Sequence, residues 1–389
     1  VKVDLLNWFG NNKISSVSDI VLGSFSEGGD VASAAIAAAG KIGGDKAAKA
    51  LVGQLGGENS AAAIAALKSF KGNYQDELLA ALDVAKDNKT LGNILGLVMA
   101  RRITAAAPKV YSLIDSKDAE ASSLAKLALA DIVGVQDIDK VGALLDNASA
   151  ADQKAAQNAL IAAVHTLAPA EQYAKVSALM KKSMNAAAYY PVLAATGTDE
   201  AVNDLAAAYE AGDKSAFASL LDIDNFKVAP TLIKIAGSDA GLADKAVKRY
   251  SSLVSKYETN VDKKRMDFAK ALELAQTPAV KRSILKSLAS VPTMKAFLLA
   301  GKYLDDSDKG VRHAAAECVR AIASKTKEEI NYADLKSNLD KAVVIFKAAG
   351  GADDGYAVDA INKILGEAEP SPISQLTDEE KRQGFEMLF

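Results

Sequence analysis

Two histidines, one cysteine and a few paired carboxylates are the residues of this 389-residue chain best suited to proton transfer or metal chemistry. Metal sites and acid–base pairs need several such groups at close spacing. His165, in LIAAVHTLA, and His313, in GVRHAAAE, lie far apart in sequence, with no second histidine or cysteine at ligand spacing. No nucleophile elbow, phosphate-binding loop or H-E-x-x-H pattern occurs. The glycines of KIGGDKAAKA, beginning at Lys41, could cradle an anion at a helix start. Their spacing does not suit a dinucleotide, and a turn between helices is the expectation. Asp305-Asp306, Glu328-Glu329 and Asp353-Asp354 read as caps and solvated faces. Asp305, Asp306 and Asp308 could hold a cation weakly, without the spacing or the glycine of an EF-hand. No catalytic, cofactor-binding or metal-ligating residue is assigned.

Groups suited to recognition are more plentiful. Basic clusters stand at Arg101-Arg102, Lys181-Lys182, Lys248-Arg249, Lys263-Lys264-Arg265 and Lys281-Arg282, dispersed among acidic residues as on solvated helix faces. Tyr189-Tyr190-Pro191, Tyr250 and Tyr257 are the notable aromatics. Tyrosine is favoured at recognition surfaces, and it also fills the grooves of helical arrays. A partner surface is expected to involve Tyr189, Tyr190, Arg282 and Arg312.

The elements that must position these groups are helices. Half the residues are hydrophobic but only 6% are aromatic, and alanine, the best helix former, supplies much of the apolar count. Alanine buries little area per residue, which suits many helices lying close together rather than one large core. Alanine-rich runs recur at intervals of roughly 30 residues, as in repeat architectures. Examples are DVASAAIAAAGKIGG from Asp30, ENSAAAIAALKSFKG from Glu58, AEASSLAKLALADIVG from Ala119 and TPAVKRSILKSLASV from Thr277. Between them lie runs with larger apolar residues at i, i+3, i+4 and i+7, such as DKAAKALVGQL, DIDKVGALL and TMKAFLLAGKYL. That spacing makes a one-sided helical stripe. A single helix pair cannot bury both stripes, so pairs must stack. No alternating β-branched run signals a strand. The expected fold is therefore all-α, an α/α superhelix (solenoid) of antiparallel helix pairs; an irregular helical bundle is the alternative.

Residues 305–322, DDSDKGVRHAAAECVRAI, resemble the second half of a HEAT repeat, in which a Val-Arg pair opens the inner helix after an aspartate. Here that pair is Val311-Arg312; Val280-Lys281-Arg282 is a shifted copy and Val31-Ala32 a degenerate one. The resemblance extends over most of residues 1–366, with irregular units around 184–277. It implies a binding face along the helices that carry the Val-Arg pair.

Both ends read as cut. VDLLNWFGN resembles the second helix of a pair whose first is missing, and residues 367–375 read as a Pro-containing linker. The final segment, LTDEEKRQGFEMLF, resembles the opening of the 3-keto-disaccharide hydrolase family, a jelly-roll glucanase-like domain widespread in Bacteroidetes. The matching positions are Leu376, Thr377, Glu379, Glu380, Gly384, Phe385, Leu388 and Phe389. Residues 376–389 would then be the truncated start of a C-terminal domain, whose catalytic residues would lie beyond Phe389.

The function expected is a non-catalytic scaffold or protein-interaction module of a larger, glycan-related cell-envelope protein. The alternative is an accessory substrate-binding region of a carbohydrate-active hydrolase. A protein partner, or the chain's own C-terminal domain, is expected, and a glycan is conceivable. An extracytoplasmic location follows from the resemblance only. A net charge of −3 argues against a nucleic-acid partner. No apolar stretch reaches the roughly 18–20 residues of a membrane span, and no cofactor is implied.

Overall fold

Alanine-rich sequence with sparse proline gives helices throughout. The computed structural model describes residues 1–323 and 325; among them every regular element is a helix. The linker at 367–375, the helix expected in DGYAVDAINKILGEA and the segment 376–389 lie outside the described residues.

The chain divides into two compact units, Val1–Thr196 and Gly197–Phe389. In the first run α1 (Lys2–Asn11), α2 (Ser18–Gly23), α3 (Gly29–Ile42), α4 (Asp45–Gly53), α5 (Ser60–Ser69), α6 (Gln75–Val84) and α7 (Asn88–Ala100). They are followed by α8 (Ala107–Ile114), α9 (Ala119–Ile132), α10 (Ile138–Asp146), α11 (Gln153–Val164), α12 (Pro169–Lys182) and α13 (Tyr190–Ala195). The second unit holds α14 (Asp199–Glu210), α15 (Ala216–Asp222), α16 (Ala229–Ser238), α17 (Ala240–Tyr257), α18 (Val261–Leu274), α19 (Pro278–Leu288), α20 (Met294–Gly301) and α21 (Lys309–Ala323).

Local chemistry sets the helix boundaries. The side chains of Asp87, Asp118, Thr198, Asp239, Asn260 and Thr293 accept first-turn N–H groups at the starts of α7, α9, α14, α17, α18 and α20. Prolines open α8, α12, α13, α16 and α19, where a missing N–H costs nothing. The paired glycines after Lys41 form the turn between α3 and α4, with φ of 81° at Gly43 and 89° at Gly44, values that glycine adopts freely.

Packing follows an every-other-helix rule. In the first unit α1, α3, α5, α7, α9, α11 and α13 stack in succession, each touching the next of the series. The even helices form the second layer: α2 meets α4 and α4 meets α6, while α6, α8, α10 and α12 each lean on the odd helix that follows. In the second unit the same rule links α15, α17, α19 and α21, with α16, α18 and α20 in the facing layer. This is the all-α solenoid class, in which each element contacts chiefly its neighbours.

Small residues permit the stacking. A Cβ on Gly10 would fall 2.7 Å from Ala38 Cα, and one on Gly40 would fall 2.9 Å from Ala66 Cβ. Both contacts lie on seams between successive odd helices, so glycine and alanine set the spacing of α1, α3 and α5. Cations then close helix ends. Arg101, just after α7, donates to Leu67 O at 3.1 Å and to Phe70 O, carbonyls at the end of α5. Arg249 of α17 donates to Ile223 O at 2.6 Å at the end of α15. Helix ends leave carbonyls without partners, and a side chain from the next repeat satisfies them here. His165 meets a helix end in the opposite sense along the chain: Nε2 lies 3.1 Å from Ala195 O at the end of α13. Cys318 is buried on α21, and burial pushes its thiol up to about 12, as befits a packed rather than a reactive cysteine.

Candidate binding groove

The second unit departs from small-residue packing where α16, α17 and α18 meet. α17 is amphipathic, burying Ala243, Ala246, Val247, Tyr250, Leu253 and Val254. α16 turns Leu232, Ile233, Ile235 and Ala236 inward. α18 buries Phe268, Ala271 and Leu272 and leaves Met266 58% exposed. α16 and α18 both pack on α17, and a groove of about 820 Å³ is lined by residues of all three. Its apolar lining is Phe226, Ala229, Pro230, Ile233, Tyr250 and Met266. Its charged lining is Lys227, Lys234, Lys263 and Lys270 against Glu258 and Asp267. Lysines outnumber carboxylates here, although the whole chain carries −3.

Most of these charges have partners. The Tyr250 hydroxyl donates to Asp267 Oδ1 at 2.7 Å, tying α17 to α18. Burial, reinforced by that carboxylate, holds the Tyr250 phenol well above its ordinary pKa. Glu258 Oε1 accepts from Asn260 N at 2.7 Å. Lys227 pairs with Asp199 at 2.7 Å and Lys234 with Glu210 at 2.7 Å. Lys264 and Arg265 are drawn away from the groove, to Ser255 O at 3.2 Å and to Asp262 at 3.7 Å. Among the described residues, the Lys263 and Lys270 side chains have neither a hydrogen bond nor an ion pair. Beside the groove, Tyr257 lies 6.2 Å from the Phe226 ring and donates to Asp224 O at 3.1 Å. The lining contains no histidine, cysteine or serine. The groove presents lysines around an apolar floor.

The residues expected at a partner surface fall elsewhere. Tyr189 is fully buried, its hydroxyl donating to Asp146 Oδ1 at 2.9 Å and Gly142 O at 3.1 Å. Tyr190 is also buried, at the first turn of α13. The expectation that these two tyrosines face a partner is corrected: a phenol that reaches a carboxylate one repeat away fills the interior of the stack. Arg282 and Arg312 do converge, at the loop before α21. Arg282 Nη1 donates to Asp308 Oδ1 at 3.3 Å, and Arg312 Nη1 donates to Asp306 O at 3.0 Å and Ser307 O at 3.2 Å. Lys281 pairs with Asp306 at 2.9 Å. Asp308 Oδ1 also accepts from Val311 N at 2.9 Å, and Asp306 Oδ1 from Asp308 N at 3.0 Å. These contacts fasten α19 to the start of α21 and engage Asp306 and Asp308, two of the three carboxylates considered for a cation. No group of three or more metal-ligating side chains occurs among the described residues.

The groove residues were partly legible. The cluster Lys263-Lys264-Arg265 and the tyrosines 250 and 257 stand out in the sequence, but nothing there shows that Lys263, Met266 and Lys270 share an open face. No protein-family model and no curated protein matches the chain. Among structures, it is similar to a chain of the "Homology model of the full-length AP-3 complex in an intermediate open conformation". Identity is 13% over 99% of this chain and 89% of that one, with a TM-score of 0.36.

Proposed function

We propose that this chain is a non-catalytic helical-repeat scaffold that binds a protein partner, with the α16–α18 groove as its contact site. One observation carries the reading: in an all-α stack whose seams are closed by small residues, this groove combines unpaired cations with exposed apolar surface. Such a combination on a rigid array suits recognition. His165 and the Asp306–Asp308 loop, the groups first considered for chemistry, are engaged in helix-end and inter-helix contacts.

The HEAT-like assignment and the wider setting belong to the same proposal. Val311-Arg312 after an aspartate supports HEAT-like units. The likeness of residues 376–389 to the opening of the 3-keto-disaccharide hydrolase family supports an extracytoplasmic, glycan-related multidomain protein. Among the described residues no helix is long and apolar enough to cross a membrane.

The test is calorimetry of the purified chain with partners identified by crosslinking in its native cells. A saturable 1:1 complex that lacks turnover supports the scaffold. A substrate turned over by the chain, with the rate lost on changing one polar side chain, contradicts it.

A further inference from the structure

Four lysines of the groove fall into two pairs with one spacing. Lys263 and Lys270 lie seven residues apart on α18, with Met266 between them on the same face. Lys227 and Lys234 repeat the interval on the opposite wall, with Pro230 and Ile233 between. At 1.5 Å rise per residue the α18 pair spans about 10 Å along its axis. Each wall therefore presents cation, apolar, cation.

The walls differ in one respect. Lys227 and Lys234 already have Asp199 and Glu210. Lys263 and Lys270 have no partner among the described residues, while the nearby carboxylate of Asp267 is committed to Tyr250. An occupant thus meets two lysines without ion pairs on α18 and an apolar strip formed by Met266, Pro230 and Ile233. Methionine is flexible and adapts to varied side chains.

Resting on the scaffold reading above, we infer that the groove takes an acidic segment of a partner protein. In that segment two carboxylates about 10 Å apart flank an apolar anchor, matching the α18 spacing. A long polyanion suits the groove less well. Glu258 and Asp267 interrupt its positive lining, and a net charge of −3 gives no long-range pull on phosphates.

The test is selection of a random twelve-residue phage library on the full chain. The selected peptides are then resynthesised, and their binding is followed by fluorescence anisotropy in low and high salt. The expected sequences are acidic with one or two large apolar residues, and their affinity falls with salt. K263E/K270E should weaken binding by ~10–30-fold, the loss expected for two exposed ion pairs. Both lysines are exposed, so the melting temperature serves as the control for folding. The milder K263Q/K270Q should lie between, and Met266→Ser should weaken binding without altering its salt dependence.

Neutral or basic selected sequences, or acidic peptides that bind K263E/K270E as well as the parent chain, overturn the inference. If peptides bind but protect another surface from hydrogen exchange, the scaffold reading stands and this groove assignment falls. If no peptide is selected and no protein partner is captured, both fall. Binding of heparin or a twenty-nucleotide single strand with the same variant dependence, and no acidic peptide, reassigns the groove to polyanions.

Discussion

Two regions of one architecture behave differently. Along α1, α3 and α5 the seams are made of glycine and alanine, and helices approach until an added methyl group on Gly10 would fall 2.7 Å from the Ala38 backbone. Between α16 and α18 the same layered packing includes Ile233, Tyr250 and Phe268, and a groove of about 820 Å³ lies beside them. The contrast is between a seam of small residues and a groove lined by larger ones. The charges follow. Lys126 pairs with Asp152 at 2.9 Å at a repeat junction, whereas Lys263 and Lys270 in the groove are held by nothing described.

The largest effect should come from dividing α18 by its two faces. Phe268 is fully buried and Met266, two residues earlier, is 58% exposed. Phe268→Ala should cost ~3–5 kcal/mol in urea denaturation, and Met266→Ser should stay within ~0.5 kcal/mol. Equal costs would mean that α18 does not have one packed face and one free face.

The closed seam can be tested through its glycines. Gly10→Val drives a branched side chain into Ala38 and should cost ~1–3 kcal/mol, as overpacking does. Gly96, inside α7, is exposed with nothing within 4 Å of its would-be Cβ, so Gly96→Ala should gain ~0.5–1 kcal/mol. A stabilising Gly10→Val would remove the contrast between seam and groove.

The tyrosines sharpen the comparison further. Tyr189→Phe leaves Asp146 and Gly142 O without their buried donor and should cost ~1–2 kcal/mol. Tyr257 is 38% exposed, and Tyr257→Phe should change stability by less than ~0.5 kcal/mol.

The smallest effect is a pH dependence set by carboxylates at helix starts. The Ala121 N–H, then Asn88, hold the Asp118 carboxyl below its ordinary pKa; Lys126, then Ser149, do so for Asp152; and Lys214 does so for Asp239. A carboxyl whose pKa is depressed on folding adds stability above its unfolded value of about 3.9 and loses it as pH falls through the folded value. Melting temperature should therefore drop on acidification below about pH 4. Asp118→Asn should flatten that drop; an unchanged profile would show that the cap does not contribute.

How much of this was legible in the sequence depended on periodicity. Helices, their alanine-rich and leucine-rich alternation, and the glycine turn after Lys41 could be read directly because each is a local property. Tyr189 could not, because its role depends on Asp146, 43 residues away across a repeat junction. A tyrosine that fills a stack and one that faces a partner carry the same local signature. The groove escaped for a related reason: Lys263, Met266 and Lys270 read as an ordinary solvated helix face until α16 is placed opposite them. Arg282 and Arg312 were placed together by their shared motif, but their hydrogen bonds serve the loop before α21.

The proposed contact site, the α16–α18 groove, can be examined by hydrogen–deuterium exchange of the full chain. With a selected acidic peptide bound, slowed exchange should be confined to segments within residues 226–274, and it should vanish in K263E/K270E. Protection along the small-residue seams of α1, α3 and α5, or protection in 226–274 that survives the double substitution, would contradict the account.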